Sequence, residues 1–496
     1  MNGHGKSDSP AVPAKPPNNA GRPAAEAVEG RGLPEGNADR PTRPAHSGGQ
    51  GVPHGLERVR QAARRDSTTQ FTALLHHVDV DRLRAAYRAI NPKAAVGVDE
   101  VTWQDYGKDL EANLWDLHGR VHRGSYRAKP SRRAFIPKTD GRLRPLGIAA
   151  LEDKIVQRAV VEVLNAIYET DFVGFSYGFR PGRGPHDALD ALSVGLTRKK
   201  VNWVLDADIR SFFTEIDREW MLRFLEHRIG DERVLRLIRK WLNAGIIEDG
   251  DWSDEGKGTP QGASLSPLLA NVYLHYVFDL WAMAWRNQHA NGDMIVLRFA
   301  DDVVAGFQHE RDARRFQGDL RQRLAKFGLE LAEDKTRLIE FGRFAADNRR
   351  RRGLGKPETF TFLGFVHICS TTRNGRFLLR RHTIAKRMRG KLRELKLAIK
   401  RRMHLPIPAQ AAWLASVVRG YYAYYAVPTN SRAMSRFRFE VVRLWLRALR
   451  RRSQRTRLTW QRMRLIADAW IPRAHDQHPW PNERFDGRTQ GRSPVR

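Results

Sequence analysis

Cysteine is nearly absent: Cys369 is the single one in 496 residues. That excludes a disulfide framework and any zinc module built on cysteine pairs. Such usage suits a reducing compartment, and Cys369 itself reads as a small core residue. Long apolar runs are also missing. None approaches the ~20 residues of a membrane-spanning helix. The opening stretch MNGHGKSDSPAVPAKPP has no apolar centre of the secretory type. A cytoplasmic protein with no membrane partner is expected. Acids are scarce: 55 Asp and Glu stand against 87 Lys and Arg, a formal charge of +32. An excess of this size points to a polyanionic partner, above all nucleic acid.

What is present changes character along the chain. Residues 1–55 are rich in Pro, Gly, Ala, Asn and Arg without apolar period, and are expected to be a disordered basic tail. VDRLRAAYRAI (80–90) has helical spacing. RRAFIPKTDGRLRPLGI (132–148) reads as two short strands around an Asp-Gly turn. Helices are expected at 151–169, 217–229 and 232–246, over 264–285 as one piece, and at 311–327. Strands are expected at 201–213 and 359–367. From Arg380 onward the chain reads as Arg- and Lys-rich helices, which places a domain boundary near 375. No internal repeat is visible.

Two acidic stretches carry the chemistry. In VLDADIRSFF, Asp206 and Asp208 stand two apart, so on a strand they share a face. In RFADDVVAG, Asp301 and Asp302 sit between apolar runs, at the tip of what reads as a hairpin. Asp is also an ordinary turn residue, so either stretch alone says little. Together, in a chain of this charge, they say more. Two carboxylates about 4 Å apart repel by roughly 4 kcal/mol at an effective dielectric of ~20. A cation relieves that repulsion, and carboxylate oxygens suit Mg²⁺. Two such ions support displacement at phosphorus by a hydroxyl. A strand ending in Asp, then an Asp-Asp hairpin, is the arrangement of a polymerase palm.

Five blocks in order then carry a family resemblance: IPKTDGRLRPLGIAALEDKIVQ, FSYGFRPGRGPHDAL, DADIRSFF, GTPQGASLSPLLANVYL and RFADD. TFLGF and VVRGYYAYYAVPTN follow them. From about residue 56 onward the chain resembles bacterial group II intron-encoded reverse transcriptases and maturases. The resemblance implies an α/β plus α architecture, a right-hand polymerase. Fingers (56–200) and palm (201–375) would surround a small antiparallel sheet. An α-helical thumb or maturase region (376–470) would follow, then a basic C-terminal extension (471–496). A nuclease built on cysteine pairs is not expected with one cysteine.

The family's roles transfer by position. Asp208 and Asp301 would hold two Mg²⁺ ions, with Asp302 beside them as a third catalytic acid and the Ile209 carbonyl completing the site. Lys138 and Arg144 would grip the incoming triphosphate. Phe213 would lie under the sugar and disfavour a 2′-hydroxyl. Pro260, Gln261 and Gly262 would shape the pocket of the nascent base pair, and Lys335 would sit near the triphosphate. The implied function is RNA-directed DNA synthesis that copies an intron RNA for retrohoming, joined to binding of that RNA to assist its splicing. Partners would be the parent intron RNA, a DNA target or primer and dNTPs, with the protein on the nucleoid when it meets its target. Two alternatives share these residues: an RNA-binding maturase with an inactive polymerase, and a reverse transcriptase domesticated for host defence. Four positions depart from the family pattern. Phe299 stands where Tyr is usual, Val303 and Val304 are less common strand residues, and Val96 replaces a commoner Pro.

Other stretches have plain readings beside functional ones. Arg180 and Arg183 could meet template phosphates, or GFRPGRGPHDAL could be a loop capping a helix through Asp187. With Arg419 beside them, Tyr421 and Tyr422 could stack on RNA bases, or pack a core. The runs Arg349–Arg352 and Arg450, Arg451 and Arg452 could bind phosphate, or be solvated faces. His76 and His77 lack metal-ligand spacing and read as structural.

Overall fold

The computed structural model describes residues 54–137, 143–248, 251–253, 256–259, 262–452 and 458–489. The expected basic tail up to Pro53, the Asp140–Gly141 turn, Lys138, Pro260 and Gln261 lie outside the described residues, and the last two tail residues, His54 and Gly55, open a helix, His54–Arg65. In chain order the described strands are β1 (Ser131–Pro137), β2 (Leu143–Ile148), β3 (Trp203–Asp208), β4 (Ile246–Glu248), β5 (Asp251–Ser253), β6 (Met294–Phe299), β7 (Asp302–Phe307), β8 (Arg337–Glu340), β9 (Phe360–Phe362), β10 (Phe365–Thr371) and β11 (Phe377–Thr383).

They form three small sheets. One has the order β2-β1-β4-β5, the central one β6-β7-β3-β8, and the third β11-β10-β9. All pairs in the central sheet are antiparallel. Its strands are apolar on both faces because both faces are covered. Leu205, Ala207, Val296, Val303 and Ala305 face one core, shared with the helix Leu151–Asp171 and the helix Ser266–Leu274. Val204, Ile295, Leu297, Val304 and Ile339 face a second core. That core is shared with the helix Pro185–Arg198 and the C-terminal helices Ala385–Arg402, Ile407–Tyr425, Ser431–Arg450 and Trp460–Trp470.

Several sequence expectations meet the structure differently. The stretch read as one helix at 264–285 is two α-helices, Ser266–Leu274 and Leu280–His289, joined by a π-helical segment, His275–Asp279. The helix expected from Arg380 begins at Ala385, because Phe377–Thr383 pairs with β10. Arg380 and Arg381 disguise that strand. Leu379, Arg381 and Thr383 alternate into the interior, where Arg381 meets the buried Asp190 at 3.3 Å. The boundary near 375 thus falls inside a hairpin, and the helical region starts after Ile384. The division at 200 also cuts across packing, since Pro185–Arg198 belongs to the second core. The expected basic C-terminal extension (471–496) contains a helix among its described residues. The helix Pro481–Thr489 docks on Pro185–Arg198, through Arg484 with Asp190 and Arg198 with Asp486 at 2.6 Å.

Candidate active site

β3 and β7 run antiparallel in a register that sets Asp208 opposite Asp302. β6 and β7 close with Phe299 opposite Asp302, leaving Ala300 and Asp301 as a two-residue turn. Ala300 has φ 55°, in the left-handed region. A non-glycine residue holds such a conformation at a cost of about 1–3 kcal/mol, and such residues cluster at functional sites. Phe179 (φ 60°) and Ser211 (φ 47°) are left-handed in the flanking loops. The segment after β3 pairs with residues 330–332: Ala332 N donates to Asp208 O at 2.8 Å and Arg210 N to Glu330 O at 2.8 Å. Ile209 lies between these two bonds, so its own backbone groups point away from that segment.

The Lys335 ammonium contacts the Asp208 carboxylate, an exposed cation on a partly exposed acid. Asp206 shares the Asp208 face. Burial pushes its carboxyl up to about 7, Asp208 adds to the rise, and Arg337 opposes it. Among the described residues, no three His, Cys, Asp or Glu side chains form a metal cluster by themselves. The acids that the register brings to this end of the sheet, Asp208, Asp301 and Asp302, offer only carboxylate oxygens. That suits Mg²⁺, which binds through one or two protein carboxylates and keeps water and substrate phosphate as further ligands.

The nucleotide-side residues are only partly described. Arg144 pairs with Ile136 in the β1–β2 hairpin. Phe213 is half-buried and lies edge-on to Phe179, ring centroids 6.5 Å apart. Gly262 has φ 112°, and a Cβ there would meet Gly147 O at 2.8 Å, so this loop lies tight against β2. Arg218 donates to the Lys257 carbonyl at 3.1 Å and the Gly258 carbonyl at 3.3 Å, fixing the loop's approach. A cavity of about 270 Å³ opens there, lined among others by Arg133, Phe135, Thr214, Arg218, Lys257 and Thr259.

Several expected RNA contacts are corrected. Arg180 is buried; it pairs with Glu169 at 3.0 Å and donates to the Val173 and Ser176 carbonyls at 2.9 Å. Arg183 donates to Gly174 O at 2.6 Å and Ser176 O at 3.1 Å. Both arginines fold their own loop, and Asp187 accepts from Gly184 N at 2.7 Å, as the capping reading requires. Tyr421 and Tyr422 are 2% and 0% exposed, and Tyr421 stacks on Phe437 at 3.6 Å, so no ring face is open to a base. Arg419, Arg450, Arg451 and Arg452 are exposed. A stronger basic surface was missed. On Ser431–Arg450 the exposed Arg432, Arg436, Phe439, Arg443, Arg447 and Arg450 recur three or four apart along one face. Lys386, Arg389, Arg393, Lys396 and Lys400 do the same on Ala385–Arg402. The signal was in the sequence as period, hidden by the sheer number of arginines.

Residues 136–367 match the family model described as reverse transcriptase (RNA-dependent DNA polymerase). Over 222 residues the chain is 40% identical to the group II intron-encoded protein LtrA of Lactococcus lactis subsp. cremoris, covering 44% of this chain and 37% of that one. The matched part of the chain is thus similar to a reverse transcriptase domain and to group II intron-encoded proteins. Protein YkfC of Escherichia coli is 38% identical over 182 residues, 36% of this chain and 48% of that protein. Nuclear intron maturase 3, mitochondrial, of Arabidopsis thaliana is 30% identical over 124 residues, 25% and 17% of the two chains. The chain spans less than half the length of each of these relatives. Within the matched residues lie Asp208 and Asp301, with Phe299 beside them, 8% exposed and packed in the second core. Reverse transcriptases use divalent metal ions. No helix among the described residues is long and apolar enough to cross a membrane.

Proposed function

We propose that the protein is an RNA-directed DNA polymerase that also binds a parent group II intron RNA and assists its splicing. The observation that carries the first half is the register of β3 on β7, with Asp208 opposite Asp302 and Asp301 in the adjoining turn. Asp208, Asp301 and the Ile209 carbonyl would hold two Mg²⁺ ions, and Asp302 would complete the acidic group. When bound, the ions activate the primer hydroxyl and stabilise charge on the leaving phosphate oxygens. Phe213 would underlie the sugar. Lys138, Arg144 and Lys335 would bind the triphosphate, while Pro260, Gln261 and Gly262 would bound the base-pair pocket. The cavity beside Thr214, where Arg133, Arg218 and Lys257 outnumber Glu248, supports an anionic substrate nearby. In this reading residues up to the helix Leu151–Asp171 act as fingers, the central sheet as palm, and the helices after Ile384 as thumb and maturase surface.

The basic stripes on Ala385–Arg402 and Ser431–Arg450, with Arg419, Arg451 and Arg452, support RNA-backbone binding. The stripe from Arg432 to Arg450 covers about 27 Å at 1.5 Å per residue. The RNA copied would be the intron itself, leading to its insertion at a DNA target. Primer extension on an RNA template with Mg²⁺ and dNTPs tests the polymerase. Extension that requires Mg²⁺ and both palm acids is expected. RNA binding with no extension under any divalent ion would leave the maturase alone, with Phe299 as its visible departure.

A further inference from the structure

Arg298, in β6, is fully buried, and so is its partner Asp279 at 2.6 Å. All five N–H groups of the guanidinium are used. Nε and Nη2 donate to the two Asp279 carboxylate oxygens at 2.7 and 2.6 Å, and Nη2 also to Ser176 Oγ at 2.7 Å. Nη1 donates to Asn271 Oδ1 and to the Ala300 carbonyl, each at 3.0 Å. Asn271 in turn donates to Gly178 O at 2.8 Å. Asp279 is the last residue of the π-helical segment, the single wide turn in an otherwise α-helical run. Such turns are rare, and they recur at functional sites.

The bonds converge on one place, the left-handed Ala300 that precedes Asp301. The loop at 176–178 closes the other side. Tyr177 N donates to Arg298 O at 2.9 Å, Arg298 N donates to Phe175 O at 2.9 Å, and a Cβ on Gly178 would meet Ala300 N at 2.2 Å. The turn is therefore clamped between a guanidinium and a glycine backbone. A buried ion pair is weak evidence for stability, because apolar residues of like volume serve as well. What an apolar residue cannot supply is the bond to the Ala300 carbonyl.

We propose that Arg298 is a positioning residue. With Asp279, Asn271 and Gly178 it fixes the Ala300–Asp301 turn, and so the place of the Asp301 carboxylate. The proposal rests on the polymerase reading of Asp301. It also gives the arginine-folded loop at 174–183 a role, as the backing of the catalytic turn instead of a template contact.

The test compares the parent chain with the pair replacement Arg298→Met/Asp279→Leu, which keeps an uncharged core, and with Gly178→Ala, which leaves the pair intact but presses on the turn. Extension rate, dNTP KM, primer–template affinity, half-saturating Mg²⁺, melting temperature and amide hydrogen exchange across 299–303 are measured. Both variants should melt below the parent, since the pair replacement strips Ser176 Oγ and the Ala300 carbonyl of their donor and a Cβ on Gly178 presses on backbone, but the folded variants should bind primer–template equally. A misplacement of order 1 Å costs about 10²-fold in rate, so kcat should fall about 10–100-fold with dNTP KM within about twofold. Half-saturating Mg²⁺ should rise, and exchange should quicken at 299–303 alone. Folded variants with parental kcat and parental exchange overturn the proposal. If the pair replacement does not fold, Gly178→Ala decides by the same readouts. If the parent extends no primer, the polymerase reading fails instead, and local exchange alone still decides whether this network holds the turn.

Discussion

Asp208 faces Asp302 directly across the β3–β7 pair. Two acids in that register, with Asp301 in the adjoining turn, are a poor choice for stability and a good one for cation binding. Asp208→Asn or Asp301→Asn should therefore leave melting unchanged or raised. Primer extension should drop at least about 10³-fold, since metal ions contribute several kcal/mol to such transition states. Binding of intron RNA and assistance to splicing should stay near parental. Loss of RNA binding in a folded Asp301→Asn would show that the palm and the RNA surface are not separable.

Lys335 contacts Asp208 from an exposed position. Exposed pairs contribute about 0–1 kcal/mol, so Lys335→Met should scarcely move the melting temperature. If the ammonium serves the triphosphate, extension should slow and dNTP KM should rise. Parental kinetics in Lys335→Met would reduce this contact to a surface ion pair.

His367 is buried against Phe360, ring centroids 4.7 Å apart, and burial pushes its pKa down from 6.5 to about 3. The folded chain thus holds this ring neutral where the unfolded chain protonates it. Its contribution to stability is complete above pH 6.5 and is lost as pH falls toward 3. His367→Phe should remove that loss. Urea titrations should show the parent-minus-variant difference declining by up to about 1.4 kcal/mol per pH unit below 6.5. A constant difference from pH 7 to 4.5 would contradict a neutral buried ring.

Tyr421 stacks on Phe437 inside the helical region. Tyr421→Ala should cost about 3–5 kcal/mol, as large-to-small core changes do. Tyr421→Phe keeps the ring stack and should retain parental RNA affinity. A folded Tyr421→Phe with weakened RNA binding would return this residue to the RNA surface.

The stripe on Ser431–Arg450 should act through phosphate charge. Replacing Arg436, Arg447 and Arg450 with Gln should weaken RNA binding and lower the slope of log affinity against log salt by about 2. Extension on a short preformed primer–template should change less. An unchanged slope would move the electrostatic footprint elsewhere.

Local signals determined a good deal. Apolar period placed the Leu151–Asp171 helix and β3, and the two acidic blocks singled out Asp208, Asp301 and Asp302, which the β3–β7 register brings to one end of the sheet. Only the tertiary structure decided which polar residues are buried. Arg180, Arg298 and Arg381 look like any other arginine in a chain of charge +32. Each is interior because an acid on another segment meets it: Glu169, Asp279 and Asp190. The π-helical turn and the left-handed Ala300 are invisible for the same reason. Neither is favoured by its own residues, and each is held by bonds that exist only once distant segments meet.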